Sequence, residues 1–189
     1  DPDADRLGIM VKHKDSWQFL TGNEIAIILS QYVIEKRRSK IKGTAVIIKT
    51  AVTSGLIQKI CDKNGVKIIG DLLVGFKYIA QKMNELESRG EIDNFLFGCE
   101  ESHGYIAGNY ARDKDASVAA LWLCELSAEL KKKKRTLVDY LEDVYTKYGY
   151  FENYLTEIRM LGAQGRMKIE QIQKFLREKN PTSFGKFVI

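Results

Sequence analysis

The spacing of apolar positions changes several times along the chain, and each change predicts an element. Leu7 to Lys12 is apolar enough for a strand and ends in the polar turn His13-Lys14-Asp15-Ser16. Trp17 to Leu20 follows as its hairpin partner. Thr21-Gly22-Asn23-Glu24 reads as a helix start, after which Ile25, Ile28, Leu29 and Tyr32 recur at helical spacing. The charged stretch from Glu35 to Lys40 has no apolar anchor and predicts a domain boundary.

A regular alternation comes next. Thr44 to Ile48 is a short apolar run suited to a buried strand, and Thr53-Ser54 can cap a helix running to Lys63. Asn64-Gly65 stops that helix, and Val66 to Ile69 makes the next strand. A helix from Phe76 to Ser88 stops at Arg89-Gly90, and Asn94 to Phe97 is a third strand. Asp115 opens a helix with Val118, Leu121, Trp122 and Leu126 on one face, and Thr136 to Tyr148 is another. Strand–helix alternation at this spacing predicts an α/β fold, a layered and largely parallel sheet with flanking helices. In such sheets ligands bind at the carboxyl ends of the strands. Leu155 to Met160 reads as one more strand. Lys168 to Glu178 reads as a helix broken by Asn180-Pro181, and Phe184 to Ile189 as the start of a strand. Three regions are expected, 1–39, 40–158 and 159–189, with the middle one complete and the outer two partial.

Composition narrows the class. The chain has 189 residues, 44% of them hydrophobic and 29% charged, which is the make-up of a water-soluble globular protein. No apolar run reaches the roughly 18 residues of a membrane span, and no signal-type segment is read at the start. Cys61, Cys99 and Cys124 are odd in number and lack metal-type spacing, which points to reduced thiols and a cytoplasmic location. The net charge of +5 would suit nucleic acid or a phosphorylated small molecule. Its excess sits in Lys36-Arg37-Arg38 and Lys131 to Arg135, at the ends of predicted helices, where cations complement the helix dipole. No aromatics interleave with them as on a base-stacking platform, so they read as solvated helix ends.

Four segments carry candidate chemistry. Asp1-Pro2-Asp3-Ala4-Asp5-Arg6 places three carboxylates at alternate positions, where a hard divalent cation relieves their repulsion. Arg6 offers a planar fork to a phosphate. An EF-hand would need Gly at the sixth loop position and Glu at the twelfth, which here are Arg6 and Lys12. A haloacid-dehalogenase-type loop would follow a strand and continue into Thr or Val. Nothing precedes Asp1 to feed such a loop, so the chain is expected to be a piece of something larger. The second segment, Phe97-Gly98-Cys99-Glu100-Glu101-Ser102-His103-Gly104-Tyr105, follows a predicted strand and suits sugar hydroxyls through its carboxylates and Ser102. A polar turn would account for it equally well. Third, Arg112-Asp113-Lys114-Asp115 sets two cations before a helix, which suits phosphate or a salt-bridged cap. Fourth, Gly75-Phe76-Lys77 sets a cation at another helix start.

This ordered set, with Gly75-Phe76-Lys77-Tyr78-Ile79 and Glu100-Glu101-Ser102 at its centre, resembles the α-D-phosphohexomutase superfamily. Within it, the chain is most similar to bacterial phosphoglucomutase/phosphomannomutase. The resemblance covers nearly the whole chain. It implies four domains around a cleft, of which this chain supplies the end of the second, the third, and the start of the fourth. It implies transfer of phosphate between the 1 and 6 hydroxyls of a hexose through a bisphosphate and a phosphoserine. Asp1, Asp3 and Asp5 would then be Mg²⁺ ligands, Arg6 would support the phosphoryl site, and Lys114 would face the reacting phosphate. Glu100 and Ser102 would bind sugar hydroxyls, with Lys77 and Arg112 as lesser substrate contacts. The implied partners are hexose phosphate, hexose 1,6-bisphosphate and the first and fourth domains of the same protein, with no nucleic acid and no membrane.

The sequence departs from the family pattern in two ways. Many relatives carry a histidine two places after the loop serine; here His103 follows Ser102 directly and Gly104 takes that place, so no acid–base role is transferred to His103. No Thr-Ala-Ser-His-type segment and no phosphate loop of the fourth domain is present. The chain alone is therefore expected to be inactive. A phosphopentomutase, a phosphoglucosamine mutase and a stand-alone sugar-phosphate-binding module remain open alternatives at this stage.

Overall fold

The computed structural model describes residues 2–154, 158–185 and 187–188, and the chain divides into two units, Asp1–Asn153 and Tyr154–Ile189. In the first, β1 (Ile9–His13) and β2 (Ser16–Leu20) form the expected antiparallel hairpin, Ile9 opposite Leu20 and His13 opposite Ser16. Ile9 and Val11 pack on the main core, while Met10, Trp17 and Phe19 on the other face are exposed.

Helix α1 (Gly22–Arg37) starts at a capping box: the Thr21 hydroxyl accepts from the Glu24 N–H, and the Glu24 carboxylate accepts from the Thr21 N–H at 2.7 Å. Every residue from Ile25 to Ile34 is buried. A helix apolar all round must lie inside a fold rather than on it, and α1 shares one core with Ile47, Leu56, Phe97 and Leu141. The charged run near residue 39 is the exposed end of this central helix, and the compact units meet at residue 154.

The sheet follows. β3 (Val46–Thr50), buried at all five positions, leads through α2 (Leu56–Lys63) to β4 (Lys67–Leu72). Then come α3 (Phe76–Ser88), β5 (Phe95–Cys99), the short β6 (Tyr105–Ile106), α4 (Ala116–Lys132) and α5 (Leu137–Tyr148). The order is β4-β3-β5-β6, with β3 parallel to both neighbours and β6 antiparallel to β5. Alternate side chains of β3 serve opposite faces. Val46 and Ile48 meet Phe76, Ile79, Met83 and Leu86 of α3. Ile47 faces the other way, into the core that α1, α2, α4 and α5 share. The four α3 residues recur at helical spacing, and burying each is worth about 1.5–3 kcal/mol. The α/β architecture with flanking helices is thus as the periodicity predicted, with one short antiparallel strand added.

The second unit holds α6 (Gly162–Lys179), with no buried residue, and a hairpin of β7 (Ser183–Phe184) with β8 (Phe187–Val188). α6 begins earlier than the expected Lys168 and stops at Asn180 in the left-handed conformation, φ 39°, before Pro181. Of the strand expected over Leu155 to Met160, residues 155–157 lie outside the described residues and 158–160 form no regular element. Among the described residues no helix is long and apolar enough to cross a membrane.

Candidate active site

The carboxyl ends of β3 and β5 carry the polar residues that the core has no use for. Beyond β5, the chain turns through Glu100 to Gly104 and returns as β6, so the candidate sugar loop is the tip of a hairpin. The Glu100 N–H donates to the Gly104 carbonyl at 3.0 Å and closes the tip. Gly104 sits in a crowded place: a Cβ there would lie 2.5 Å from Glu100 Oε1 and 2.8 Å from Lys114 Cδ, so those side chains would have to shift.

The first loop lies along this tip. Arg6 pairs with Gly104 in an isolated antiparallel bridge, and the Leu7 N–H donates to the His103 carbonyl at 3.1 Å. His103 has a left-handed backbone, φ 69°, and its ring Nδ1 is 3.0 Å from the Leu7 carbonyl. Those contacts offset the strain of a non-glycine residue in that region, roughly 1–2 kcal/mol. They give His103 a tethering role and direct its ring at backbone.

Three separated motifs meet at this point. Lys114 Nζ donates to Asp5 Oδ2 at 2.8 Å and lies 3.5 Å from Asp113 Oδ1 and 6.0 Å from the centre of the Phe76 ring. The hydrogen bond from Lys114 holds the Asp5 carboxyl below the usual carboxylate range, and the same bond raises Lys114. Glu100, 3% exposed, is pushed up chiefly by burial, with Ser102 and Lys114 opposing. A carboxylate so desolvated accepts hydrogen bonds strongly from any hydroxyl brought to it.

The remaining expected residues are placed differently. Lys77 is exposed in the first turn of α3 with its ammonium over its own neighbour, Tyr78, at 5.0 Å. Arg112 is bound to α3: Nε donates to Asn84 at 2.7 Å, Nη2 to Glu87 at 2.8 Å, and Nη1 to the Asn109 and Ala111 carbonyls. Its fork secures the segment between β6 and α4 and is filled by protein groups. Asp3 is exposed in the turn before Asp5. Asp1 lies outside the described residues. An open depression beside β4, lined by Lys49, Gln58, Ile68, Ile69, Gly70 and Asp71, contains none of the expected site residues.

The sequence reading missed the brace behind the loop. Glu101 is turned away from Glu100; the Thr50 hydroxyl donates to its Oε2 at 2.9 Å, and the Thr53 hydroxyl stands 2.7 Å from that of Thr50. Lys49, 5% exposed, donates to the Thr50 and Thr53 carbonyls at 3.2 and 2.9 Å. Burial lowers its pKa. Asn23 Oδ1 accepts from the Ser54 N–H at 2.8 Å, and the Tyr105 hydroxyl donates to the Gly22 carbonyl at 3.0 Å. The β3–α2 turn and the start of α1 thus clamp the loop from behind. The signal was the run of polar residues from Lys49 to Ser54 directly after a buried strand.

The three-layer α/β domain thus presents a carboxylate-rich hairpin tip at its strand ends, with a lysine and an aspartate loop folded over it. A family model described as "Phosphoglucomutase/phosphomannomutase, alpha/beta/alpha domain III" matches residues 21–148, and the chain belongs to this family. It is 35% identical over 183 residues to a phosphoglucomutase of Staphylococcus epidermidis, covering 96% of this chain and 32% of that protein. A phosphoglucomutase of Staphylococcus aureus is 34% identical over 182 residues with the same coverage. The chain therefore spans about a third of the length of the curated relatives it matches. Among solved structures, parafusin (phosphoglucomutase) from Paramecium superposes with a TM-score of 0.57 at 25% identity, covering 79% of this chain and 24% of that one. A phosphomannomutase from Thermus thermophilus gives 0.56 at 18%, covering 79% and 30%, which shows the fold.

Proposed function

We propose that this chain is the central part of a Mg²⁺-dependent phosphohexomutase that interconverts hexose 1-phosphate and hexose 6-phosphate through a phosphoserine and a hexose 1,6-bisphosphate. The observation that carries the reading is the meeting of Asp5, Glu100 and Lys114 at one hairpin tip, with Asp5 brought from far along the sequence to the other two.

In this reading Glu100 and Ser102 accept and donate hydrogen bonds to neighbouring sugar hydroxyls, and the buried Glu100 fixes the ring. A hexose must be held in two flipped orientations, and a carboxylate with an adjacent hydroxyl can serve either. Lys114 supplies positive charge to the phosphate, and Arg6 a planar fork for its oxygens. A hard cation suits carboxylate donors, and Asp5 Oδ1 is shut off from solvent without a hydrogen-bond partner, while among the described residues no three such groups gather into a metal cluster. Asp1, Asp3 and Asp5 would hold that ion, whose chemistry is to neutralise charge on the transferring phosphoryl group. The phosphoserine and the distal phosphate anchor come from elsewhere in the parent protein. A cytoplasmic setting accords with the three unpaired cysteines.

The test is a coupled assay of glucose 1-phosphate turnover. The full-length parent is expected to be active, and Glu100→Gln in it to lose about ten- to a hundredfold in kcat/KM, the worth of a hydrogen bond to a charged group. The 189-residue chain alone is expected to show no turnover. Robust turnover by the chain alone, or an unaffected Glu100→Gln enzyme, would overturn the reading.

A further inference from the structure

Lys114 occupies a position that a divalent cation would contest. Its ammonium is 2.8 Å from Asp5 Oδ2, the oxygen next to the orphaned Oδ1, and both side chains are largely enclosed, at 14% and 21% exposure. A carboxylate bonded by an ammonium is already neutralised, and a doubly charged ion brought to it meets a like charge at contact distance. The ammonium and the ion compete for one carboxylate.

The surroundings give Lys114 other places to go. Asp113 Oδ1 is 3.5 Å from its nitrogen on the solvent side. The face of Phe76 is within 6.0 Å, close enough to attract a cation. Glu100 also attracts it. Gly104 leaves its stem room, since a Cβ there would stand 2.8 Å from Lys114 Cδ. A lysine has four rotatable bonds, and its head can move by several ångströms while its backbone stays fixed.

We propose that Lys114 is the resident counter-ion of Asp5, displaced by divalent-ion binding toward Glu100 and Phe76, where a substrate phosphate would meet it. This rests on the metal role of Asp5 in the proposed function and goes further: loading the ion and presenting the lysine become one event. Linkage makes the coupling reciprocal, so a phosphate that holds Lys114 away from Asp5 also tightens the ion.

Two measurements on the 189-residue chain test this. The first is Mn²⁺ binding, followed by water-proton relaxation, for the native chain and for Lys114→Met, with Asp5→Asn as control. Lys114→Met is expected to bind Mn²⁺ at least fivefold more tightly, and Asp5→Asn to lose binding. Equal or weaker binding by Lys114→Met, with the native chain binding, overturns the displacement and leaves the metal role intact. No binding by either protein overturns both. The second needs no substitution: the amine-labelling rate of Lys114, read by mass spectrometry, is expected to rise when saturating Mg²⁺ is added. An unchanged rate overturns the proposal.

Discussion

Replacing Gly22 by alanine tests the brace behind the hairpin tip. A methyl group on Gly22 would stand 1.9 Å from the carbonyl oxygen of Glu101, 2.8 Å from its carbon and 2.9 Å from the His103 nitrogen. All three atoms are backbone, so no rotamer change relieves the overlap, and contact at about 3.3 Å requires over an ångström of movement. Either α1 shifts or the tip does. α1 is fixed on all sides by residues Ile25 to Ile34, so the tip is the softer partner. In an ordinary helix Gly→Ala is favourable by about 1 kcal/mol. Here the overlap costs about 1–3 kcal/mol or more, typical of overpacking. With about 2–4 °C per kcal/mol for a unit of this size, the midpoint of thermal unfolding is expected to fall by roughly 2–12 °C. Gly8→Ala is the control, because its methyl would meet only Phe19 at 3.8 Å. Differential scanning calorimetry reads both. A Gly22→Ala protein as stable as the native chain would refute the close approach of α1 to the tip and the clamping role built on it.

Other perturbations test other links. Thr50→Val leaves the Glu101 carboxylate without its 2.9 Å donor; urea unfolding is expected to show a loss of about 1–3 kcal/mol. Phe97→Ala removes a ring that is 1% exposed and has Tyr105 and Trp122 each 6.2 Å away. It is expected to cost about 3–5 kcal/mol in the same assay. Glu100 has its pKa raised above 4.5 by burial. The folded chain then binds this proton more tightly than the unfolded one. The resulting stability is fully present below 4.5 and is lost as pH rises through the raised value. Urea midpoints of Glu100→Gln, compared with those of the native chain, are expected to fall less steeply over that window. Identical slopes would show that Glu100 is not desolvated.

The sequence disclosed most where local rules and tertiary packing agree. β3, α3, β5 and α5 stand close to where period and capping placed them, because each buries one face or both in the ordinary way. α1 was legible as a helix but not as the centre of a core, since its ends are charged and its partners lie far along the chain. β6 has two residues, too few to carry a period. In the site, Asp5, Glu100 and Lys114 could be chosen by residue type, and their meeting follows from sheet order, which no local pattern states. Glu101 and Arg112 show the reverse case. Both are suited to bind a ligand, and both are engaged by protein groups, Thr50 in one case and Asn84 with Glu87 in the other. Chemistry selects candidates, but only packing tells a brace from a contact.

The enclosed position of α1 has a consequence for synthesis. The helix leaves the ribosome well before β5 and α5, on which it packs and which end at Cys99 and Tyr148. About a hundred further residues must be made before those surfaces exist, a wait on the order of ten seconds at usual elongation rates. Until then, the apolar stretch from Ile25 to Ile34 has only part of its native surroundings, β2 and then α2. The helix that organises the finished core thus keeps part of its apolar surface uncovered while the core is being made.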